Sequence, residues 1–157
     1  MKKLSIIMIL ILLHTFSAYA VDHARNAAWL RIMNSSEFEY KTEILNTVFD
    51  ENDRYIKNAL LNDLQESMHG NKFAHVAPDK LENYQGMIVR RLGILNDKAS
   101  AENIYYLMEN TGNSALKREA VTALGKMGAV RYGNTITDML TEANSRQYFL
   151  TESGYVN

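Results

Sequence analysis

Two segments in the second half of this chain resemble each other at one constant offset. Residues 84–109 can be laid over residues 116–141 without a gap. Several of the residues that then coincide are identical, among them Val89 with Val121, Leu92 with Leu124, Gly93 with Gly125, and Ile104 with Ile136. A period of about 30–40 residues that contains two helical segments is typical of stacked helix pairs. The near-repeat therefore predicts a fold built by stacking helix pairs side by side.

The rest of the chain also favours helices. Pro78 is the only proline among 157 residues, and runs that alternate between apolar and polar residues are almost absent. Both observations argue against a sheet, because half-buried strands produce such alternation and the turns between them are rich in breaker residues. Apolar residues instead recur three and four positions apart. We therefore predict an all-α fold.

Breaks in the helical periodicity predict seven helices and a tail. Three of the helices are expected at about residues 53–68, 100–109 and 134–144, and the tail at residues 146–157. The residues expected to begin or end helices, or to turn the chain between them, are, in chain order, Asn34, Ser36, Asp53, Gly70, Pro78, Asn96, Ser100, Gly112, Asn113 or Ser114, Gly128 and Asn134. Ser36 and Glu39 have the spacing of a capping box. The first helix is expected to bury the side that carries Ala24, Ala27, Ala28 and Ile32.

The clearest repeat begins at residues 115–128, which read Ala-Leu-Lys-Arg-Glu-Ala-Val-Thr-Ala-Leu-Gly-Lys-Met-Gly. Basic residues are followed by small and apolar residues, then by Leu-Gly and a second Gly at the helix end. This pattern resembles the first helix of a HEAT repeat, in the short form that is also found in phycobilisome-lyase-like proteins. Ile136 and Met139 follow at the spacing of the second helix. Residues 84–109 keep Leu-Gly but have Asn96 in place of the closing glycine.

The resemblance implies a short right-handed stack of antiparallel helix pairs, which is the superhelix of armadillo and HEAT proteins. The repeats would cover about residues 36–70, 78–112 and 113–145. The length of the chain after residue 20 fits a single domain over residues 21–157. The resemblance also implies a role in binding or scaffolding another protein, and no enzymatic activity, since the fold by itself specifies no reaction.

The first twenty residues have the pattern of a secretory signal peptide. Lys2 and Lys3 precede an apolar run over residues 4–13, and Ala18-Tyr19-Ala20 has the small-x-small form of a cleavage site. The run is too short to span a bilayer as a helix, so cleavage after Ala20 is favoured over an uncleaved anchor. We therefore expect a bacterial protein that is exported to the periplasm or the medium, with no stable membrane insertion after cleavage.

Charge and motif content argue against several function classes. The formal net charge is −1 with Lys and Arg scattered along the chain, so the basic face of a nucleic-acid binder is not expected. The chain has no cysteine, and His69 and His75 lack the further ligands that a transition metal requires. Nucleophile elbows and phosphate-binding glycine loops are missing from the sequence as well. We therefore predict no catalytic residues, no metal and no cofactor.

The expected binding surface is the face that the second helix of each pair turns to the concave side of the stack. Because Ile104, Leu107 and Met108 fill the apolar stripe of the fifth helix, at least one of Tyr105 and Tyr106 should point away from the core. The alternative is that either tyrosine packs on a neighbouring helix pair. The residues left for a protein or peptide partner are Asn58, Asn62, Tyr105, Tyr106, Glu109, Thr137, Asp138 and Thr141.

Two other functions remain open at the level of sequence. One is a periplasmic inhibitor or immunity-type protein that blocks a toxin or a hydrolase. The other is an enzyme-maturation factor, which the lyase-like form of the repeat implies. The prediction taken forward is a non-enzymatic protein-binding or scaffolding module.

Overall fold

The computed structural model describes residues 23–34, 37–47, 53–139 and 141. Within these residues all regular structure is helical and no strand is present, so the all-α prediction is confirmed. The predicted signal peptide, Ser36, Leu140 and the predicted tail lie outside the described residues.

Helices and short 3₁₀ turns follow one another along the chain. We number the helices α1 (residues 23–34), α2 (Phe38–Ile44), α3 (Arg54–His69), α4 (Pro78–Ile94), α5 (Ala101–Asn110), α6 (Ser114–Lys126) and α7 (residues 133–139, with residue 141 also helical). The 3₁₀ turns Lys98–Ser100 and Val130–Tyr132 precede α5 and α7. Internal contacts divide the chain into two compact units, Met1–Ile88 and Val89–Asn157, and the boundary falls inside α4. The prediction of a single domain over residues 21–157 stays a prediction.

The core of the first unit is formed by apolar and aromatic side chains from α1 to α4. These side chains are Trp29, Met33, Phe38, Ile44, Leu45, Ile56, Leu60, Leu64, Phe73, Tyr84 and Ile88. The rings of Phe38, Phe73 and Tyr84 meet edge-on or tilted, with centroid separations of 5.2–6.0 Å. Such arrangements suit the charge distribution of aromatic rings and add to the gain from burial.

The prediction of the buried side of α1 is wrong. Ala24, Ala27, Ala28 and Ile32 are exposed, whereas Asn26, Trp29 and Met33 are buried. The indole nitrogen of Trp29 donates a hydrogen bond of 3.2 Å to the carbonyl of Ile44. One tryptophan and one methionine bury far more apolar surface than several alanines, so they determine which side faces the core.

Polar residues begin α2 and α3 in different ways. The N-cap of α2 is Glu37, whose side chain makes no capping hydrogen bond, and the predicted partner Ser36 lies outside the described residues. At α3 the prediction is confirmed: Oδ1 of Asp53 accepts from the backbone N–H of Tyr55 at 2.7 Å and of Ile56 at 3.2 Å. Asn26 of α1 donates to Oδ2 of the same carboxylate at 3.1 Å.

In the second unit the same helix end occurs twice, at the C-termini of α4 and α6. Asn96 and Gly128 follow these helices with positive φ, 49° and 62°. In the first case the N–H of Asp97 bonds to the carbonyl of Leu92, and in the second the N–H of Ala129 bonds to that of Leu124. Both are the Schellman motif, in which a left-handed residue reverses the chain and satisfies the last carbonyls. Asn96 therefore does the work of the closing glycine.

The 3₁₀ turns are part of the same repeated arrangement. Each follows its Schellman motif directly and leads into the next helix, α5 or α7. Ser100 stands at the N-cap of α5 as predicted, but its hydroxyl donates to the carbonyl of Asp97 at 2.7 Å and does not cap the helix. Asn113 caps α6 by accepting from the N–H groups of Ala115 and Leu116.

Equivalent glycines of the repeat have different surroundings. A Cβ built on Gly93 would lie 2.8 Å from Cα of Ala123, so glycine is what allows the end of α4 to approach α6 this closely. A Cβ on Gly125, one repeat later, would meet nothing within 4 Å among the described residues. The buried residues of this unit are Val89, Leu92, Leu95, Ile104, Leu107, Met108, Leu116, Ala120, Ala123, Leu124, Met127 and Tyr132.

Candidate functional site

The eight residues predicted to face a partner are divided between the two units. Asn58 and Asn62 are exposed, one turn apart on α3 of the first unit. The other six belong to α5 and α7 of the second unit. Whether all eight serve one partner stays a prediction, and the surface of the second unit is described by itself below.

The two tyrosines of α5 have different environments. Tyr105 is half-buried, and its ring stacks on that of Tyr132 with centroids 4.3 Å apart and planes 14° from parallel. Its hydroxyl donates to Oγ1 of Thr135 at 3.4 Å. Tyr106 is 47% exposed. Tyr105 therefore joins α5 to the start of α7, whereas Tyr106 presents aromatic surface to solvent.

Exposed polar residues accompany Tyr106 on the same unit. Glu109, Thr137, Asp138 and Thr141 are all exposed. The hydroxyl of Thr137 donates to the carbonyl of Gly133, and that of Thr141 donates to the carbonyl of Thr137, each at 2.9 Å. Because these hydroxyl protons are used within α7, the two threonines offer a partner mainly acceptor oxygens and methyl groups.

An open groove lies between the start of α5 and the segment that joins α6 to α7. Its volume is about 430 Å³, within the range of about 300–1,000 Å³ that is usual for ligand sites. The described residues that line it are Lys98, Ala99, Ala101, Glu102, Met127, Gly128, Ala129, Val130, Arg131 and Tyr132. The lining thus combines small and apolar residues with charged ones, and the side chain of Val130 is 86% exposed.

Charged residues border this groove. Arg131 and Glu102 approach to 3.6 Å and both are largely exposed. The guanidinium of Arg131 also lies 5.0 Å from the centroid of the Tyr132 ring. An ion pair this exposed is worth little, about 0–1 kcal/mol, so both groups can exchange each other for charges on a partner. Lys98 adds a further cation to the border.

Tyr106 lies one helical turn along α5 from Glu102, which lines the groove. Glu102 and Tyr106 are four residues apart on one helix, and residues at this spacing are neighbours on its surface. The structure therefore places an exposed tyrosine next to a residue of the groove, which also carries two opposite charges. We call this surface, formed by Tyr106, Glu102, Val130, Arg131 and the groove lining, the α5 groove surface. The sequence predicted Tyr106 as a binding residue but did not predict the groove, because Val130 and Arg131 belong to no recognisable motif.

A second ion pair of this unit is more specific in geometry. Arg90 and Glu119 form two parallel hydrogen bonds, Nε to Oε2 at 3.1 Å and Nη2 to Oε1 at 2.5 Å. The hydrogen bonds from Arg90 lower the pKa of Glu119, and those to Glu119 raise the pKa of Arg90. The pair links the surface of α4 to that of α6. Because Arg90 is mostly exposed, the pair contributes little to stability.

The first unit contains a buried polar cluster that the sequence did not predict. Asp63 of α3 accepts hydrogen bonds from Lys41 at 3.3 Å, from the hydroxyl of Tyr84 at 2.6 Å, and from Lys72. Lys41 is also bonded to the carbonyl of Met33. We call these residues the Asp63 cluster. Its signal in the sequence is a charged residue inside an apolar stripe, since Asp63 lies between Leu60 and Leu64.

The cluster perturbs two of its own ionisable groups. Burial lowers the pKa of Lys41, with Lys72 adding to the effect and Asp63 opposing it. Burial raises the pKa of Tyr84, and the neighbouring charge and hydrogen bond of Asp63 raise it further. These shifts follow from placing charged forms in an interior of low polarity. Perturbed groups beside a cavity also mark a candidate binding site.

Metal chemistry has no visible site in the described part of the chain. There, no three residues among His, Asp and Glu come close enough together to hold an ion. His69 and His75, on either side of the loop after α3, are both exposed. The described part of the chain also contains no helix that is both long enough and apolar enough to cross a membrane.

Comparison with known proteins gave no match: no protein-family model, no curated protein and no solved structure matches this chain.

Proposed function

We propose that this chain is a non-enzymatic protein-binding module, and that the α5 groove surface docks a segment of its partner. The observation that carries the proposal is Tyr106, which is 47% exposed one helical turn from Glu102 in the lining of an open groove. Tyrosine is enriched among residues that dominate binding energy, because it buries a large rigid ring and keeps a polar end. The groove next to Glu102 offers further surface to the same partner segment.

The HEAT-like stack remains part of the proposal. It is supported by the repetition of helix, left-handed residue, 3₁₀ turn and helix at one spacing in the second unit. Repeat proteins of this kind use extended surfaces to bind other proteins. A partner segment would place apolar side chains in the groove and its own charges against Arg131 and Glu102.

Export is also proposed. It rests on Lys2, Lys3, the apolar run and the Ala18-Tyr19-Ala20 step, all outside the described residues. Sequencing the N-terminus of the protein recovered from the periplasm or the medium tests it, with Val21 as the expected first residue. Recovery of the protein with residues 4–13 still attached would show that it is anchored.

The binding test compares three tyrosine variants by affinity capture and titration of the captured partner. Tyr106→Ala should weaken binding at least about tenfold, which corresponds to about 1.4 kcal/mol. Tyr55→Ala is the matched control, because Tyr55 is 66% exposed on α3 of the first unit. It should leave affinity unchanged. Tyr105→Ala should instead lower the melting temperature, since it removes the stack on Tyr132.

Two outcomes would contradict the proposal. One is a Tyr106→Ala variant that folds and binds as the wild type does. The other is an equal loss of affinity in Tyr55→Ala, which would move the binding surface to the first unit.

A further inference from the structure

The first unit contains a cavity that the proposed function does not use. It lies between the start of α2 and the loop after α3, and its volume is about 490 Å³. The described residues that line it are Glu37, Phe38, Glu39, Lys41, Lys72, Phe73 and His75. The cavity therefore has an aromatic wall, two cations and two anions.

The lysines of the cavity lining bring an excess of positive charge. Lys41 and Lys72 both pair with Asp63, and the two ammonium groups share this one carboxylate. The carboxylate also accepts from the hydroxyl of Tyr84, so its lone pairs are well occupied. These two cations and one anion have a net charge of about +1, and the burial of Lys41 and Asp63 weakens screening by solvent.

Lys72 is the cation that a ligand can reach. Its side chain is 40% exposed, whereas that of Lys41 is buried and already donates to two acceptors. Its ammonium lies 5.3 Å from the centroid of the Phe73 ring. An ammonium carries three protons, so Lys72 can hold Asp63 and still donate to a carboxylate in the cavity.

Two anions also line the cavity. Glu37 and Glu39, at the start of α2, are both exposed and both belong to the lining. Phe38 and Phe73 line it as well, and their rings meet edge-on with centroids 6.0 Å apart. A ligand that matches this lining carries a carboxylate, an apolar body and an ammonium.

We propose that this cavity binds a small zwitterion with an apolar body, which is the chemistry of a free amino acid with an aromatic or large aliphatic side chain. Lys72 receives the carboxylate, and Lys41 supports it through its charge. Glu37 and Glu39 receive the ammonium, and the side chain packs on Phe38 and Phe73. This site belongs to the first unit and does not depend on the α5 groove surface.

Isothermal titration of the full chain with three related compounds tests the charge pattern. L-phenylalanine is the probe. 3-Phenylpropanoate lacks only the ammonium, and L-phenylalanine amide lacks only the carboxylate. Each should bind about tenfold more weakly or worse, because each lacks one of the two charged groups through which the zwitterion contacts the cavity. Equal binding of 3-phenylpropanoate and phenylalanine would overturn the zwitterion assignment, and so would failure of phenylalanine to bind at millimolar concentration.

Variants locate the site. Lys72→Gln should weaken phenylalanine binding about tenfold, and Lys126→Gln, an exposed lysine of the second unit, is the control of equal charge change. Glu39→Gln changes an exposed side chain, so folding is retained and confirmed by thermal melting. It should weaken phenylalanine binding and strengthen 3-phenylpropanoate binding. Identical affinities in Lys72→Gln, Glu39→Gln and wild type would place phenylalanine elsewhere and overturn the proposal.

A dipeptide distinguishes a free amino acid from a peptide as the source of the two charged groups. Phenylalanyl-phenylalanine has the same ammonium and carboxylate as phenylalanine, but they are separated by a longer apolar body. Weaker binding than that of phenylalanine supports the free amino acid, and tighter binding would overturn that assignment in favour of peptide ends.

Discussion

The hydroxyl of Tyr84 donates a hydrogen bond of 2.6 Å to Oδ2 of Asp63 in the interior of the first unit. The same carboxylate holds Lys41 of α2 and Lys72 of the loop after α3, and Lys41 reaches on to the carbonyl of Met33. One acidic side chain thus joins segments from α1 to α4. Stability of the first unit should depend on this carboxylate more than on any exposed charge.

Removing the charge of Asp63 should be strongly destabilising. Asp63→Asn leaves the buried ammonium of Lys41 without its anion, and breaking a buried pair in this way costs about 3–5 kcal/mol. Asp79→Asn is the control, because Asp79 is exposed in the first turn of α4. It should cost about 1 kcal/mol or less, the size of a favourable helix-dipole contact. Urea unfolding measures both, and equal losses would contradict the central role of Asp63.

Tyr84 should make stability fall at alkaline pH. Burial and Asp63 raise its pKa, whereas a tyrosine in the unfolded chain ionises near about pH 10. Above that pH the unfolded chain releases a proton that the folded chain retains, so the free energy of unfolding decreases with pH. The contribution of Tyr84 is complete below about pH 10 and is lost above it, with a slope of up to about 1.4 kcal/mol per pH unit.

The Tyr84→Phe variant isolates this effect. The lowered pKa of Lys41 has the opposite effect, because it makes stability rise with pH until the unfolded lysine also loses its proton near about pH 10.5, and it is present in both proteins. Urea unfolding between about pH 9 and 11.5 should therefore show a steeper fall for the wild type than for Tyr84→Phe. Parallel curves would mean that Tyr84 ionises in the folded protein as easily as in the unfolded chain.

The equivalent glycines of the repeat should respond with opposite signs to the same substitution. Gly93→Ala forces a methyl group to within 2.8 Å of the backbone of Ala123 and should cost about 1–3 kcal/mol. Gly125→Ala meets no described atom within 4 Å and replaces a helical glycine, so it should gain up to about 1 kcal/mol. Thermal melting of both variants measures these changes. Equal shifts in melting temperature would show that α4 and α6 are not packed this closely.

Asn96 and Gly128, the two residues with positive φ among those described, allow another set of matched variants. Alanine at either position places a Cβ in an unfavourable backbone conformation, so Asn96→Ala and Gly128→Ala should each cost about 1–2 kcal/mol. Asn96→Gly should change stability by less than about 0.5 kcal/mol, because the lower strain is offset by the greater freedom of glycine in the unfolded chain. An Asn96→Ala variant as stable as the wild type would contradict the left-handed assignment.

The sequence predicted where the helices of this chain lie better than it predicted which residues each helix packs against. Leu60, Leu92 and Leu124 each belong to a stripe of apolar residues with helical spacing, and all three are buried. Periodicity reports such positions because burial of large apolar groups dominates the choice of helix face. It failed for α1, where small alanines formed an apparent stripe but Trp29 and Met33 carried more apolar surface.

Parts of the candidate sites could not be predicted from local pattern. Lys41 and Asp63 are twenty-two residues apart, and their pairing depends on how α2 and α3 pack. The groove beside Tyr106 likewise depends on the path of the chain after α6. Tyr105 and Tyr106 are adjacent in sequence and equal in type, and only the position of Tyr132 separates a packed ring from an exposed one.

Asn96 and Gly128 also have a consequence for how such a chain can change in length. The chain leaves both residues with the same backbone conformation and enters the same kind of 3₁₀ turn. The segment from residue 97 to residue 128 therefore starts just after one left-handed residue and ends at the other, so its two ends have equivalent backbone geometry. A tandem duplication of its coding sequence, in frame, would join compatible ends without a new turn, so genetic duplication offers this architecture a direct route to longer forms.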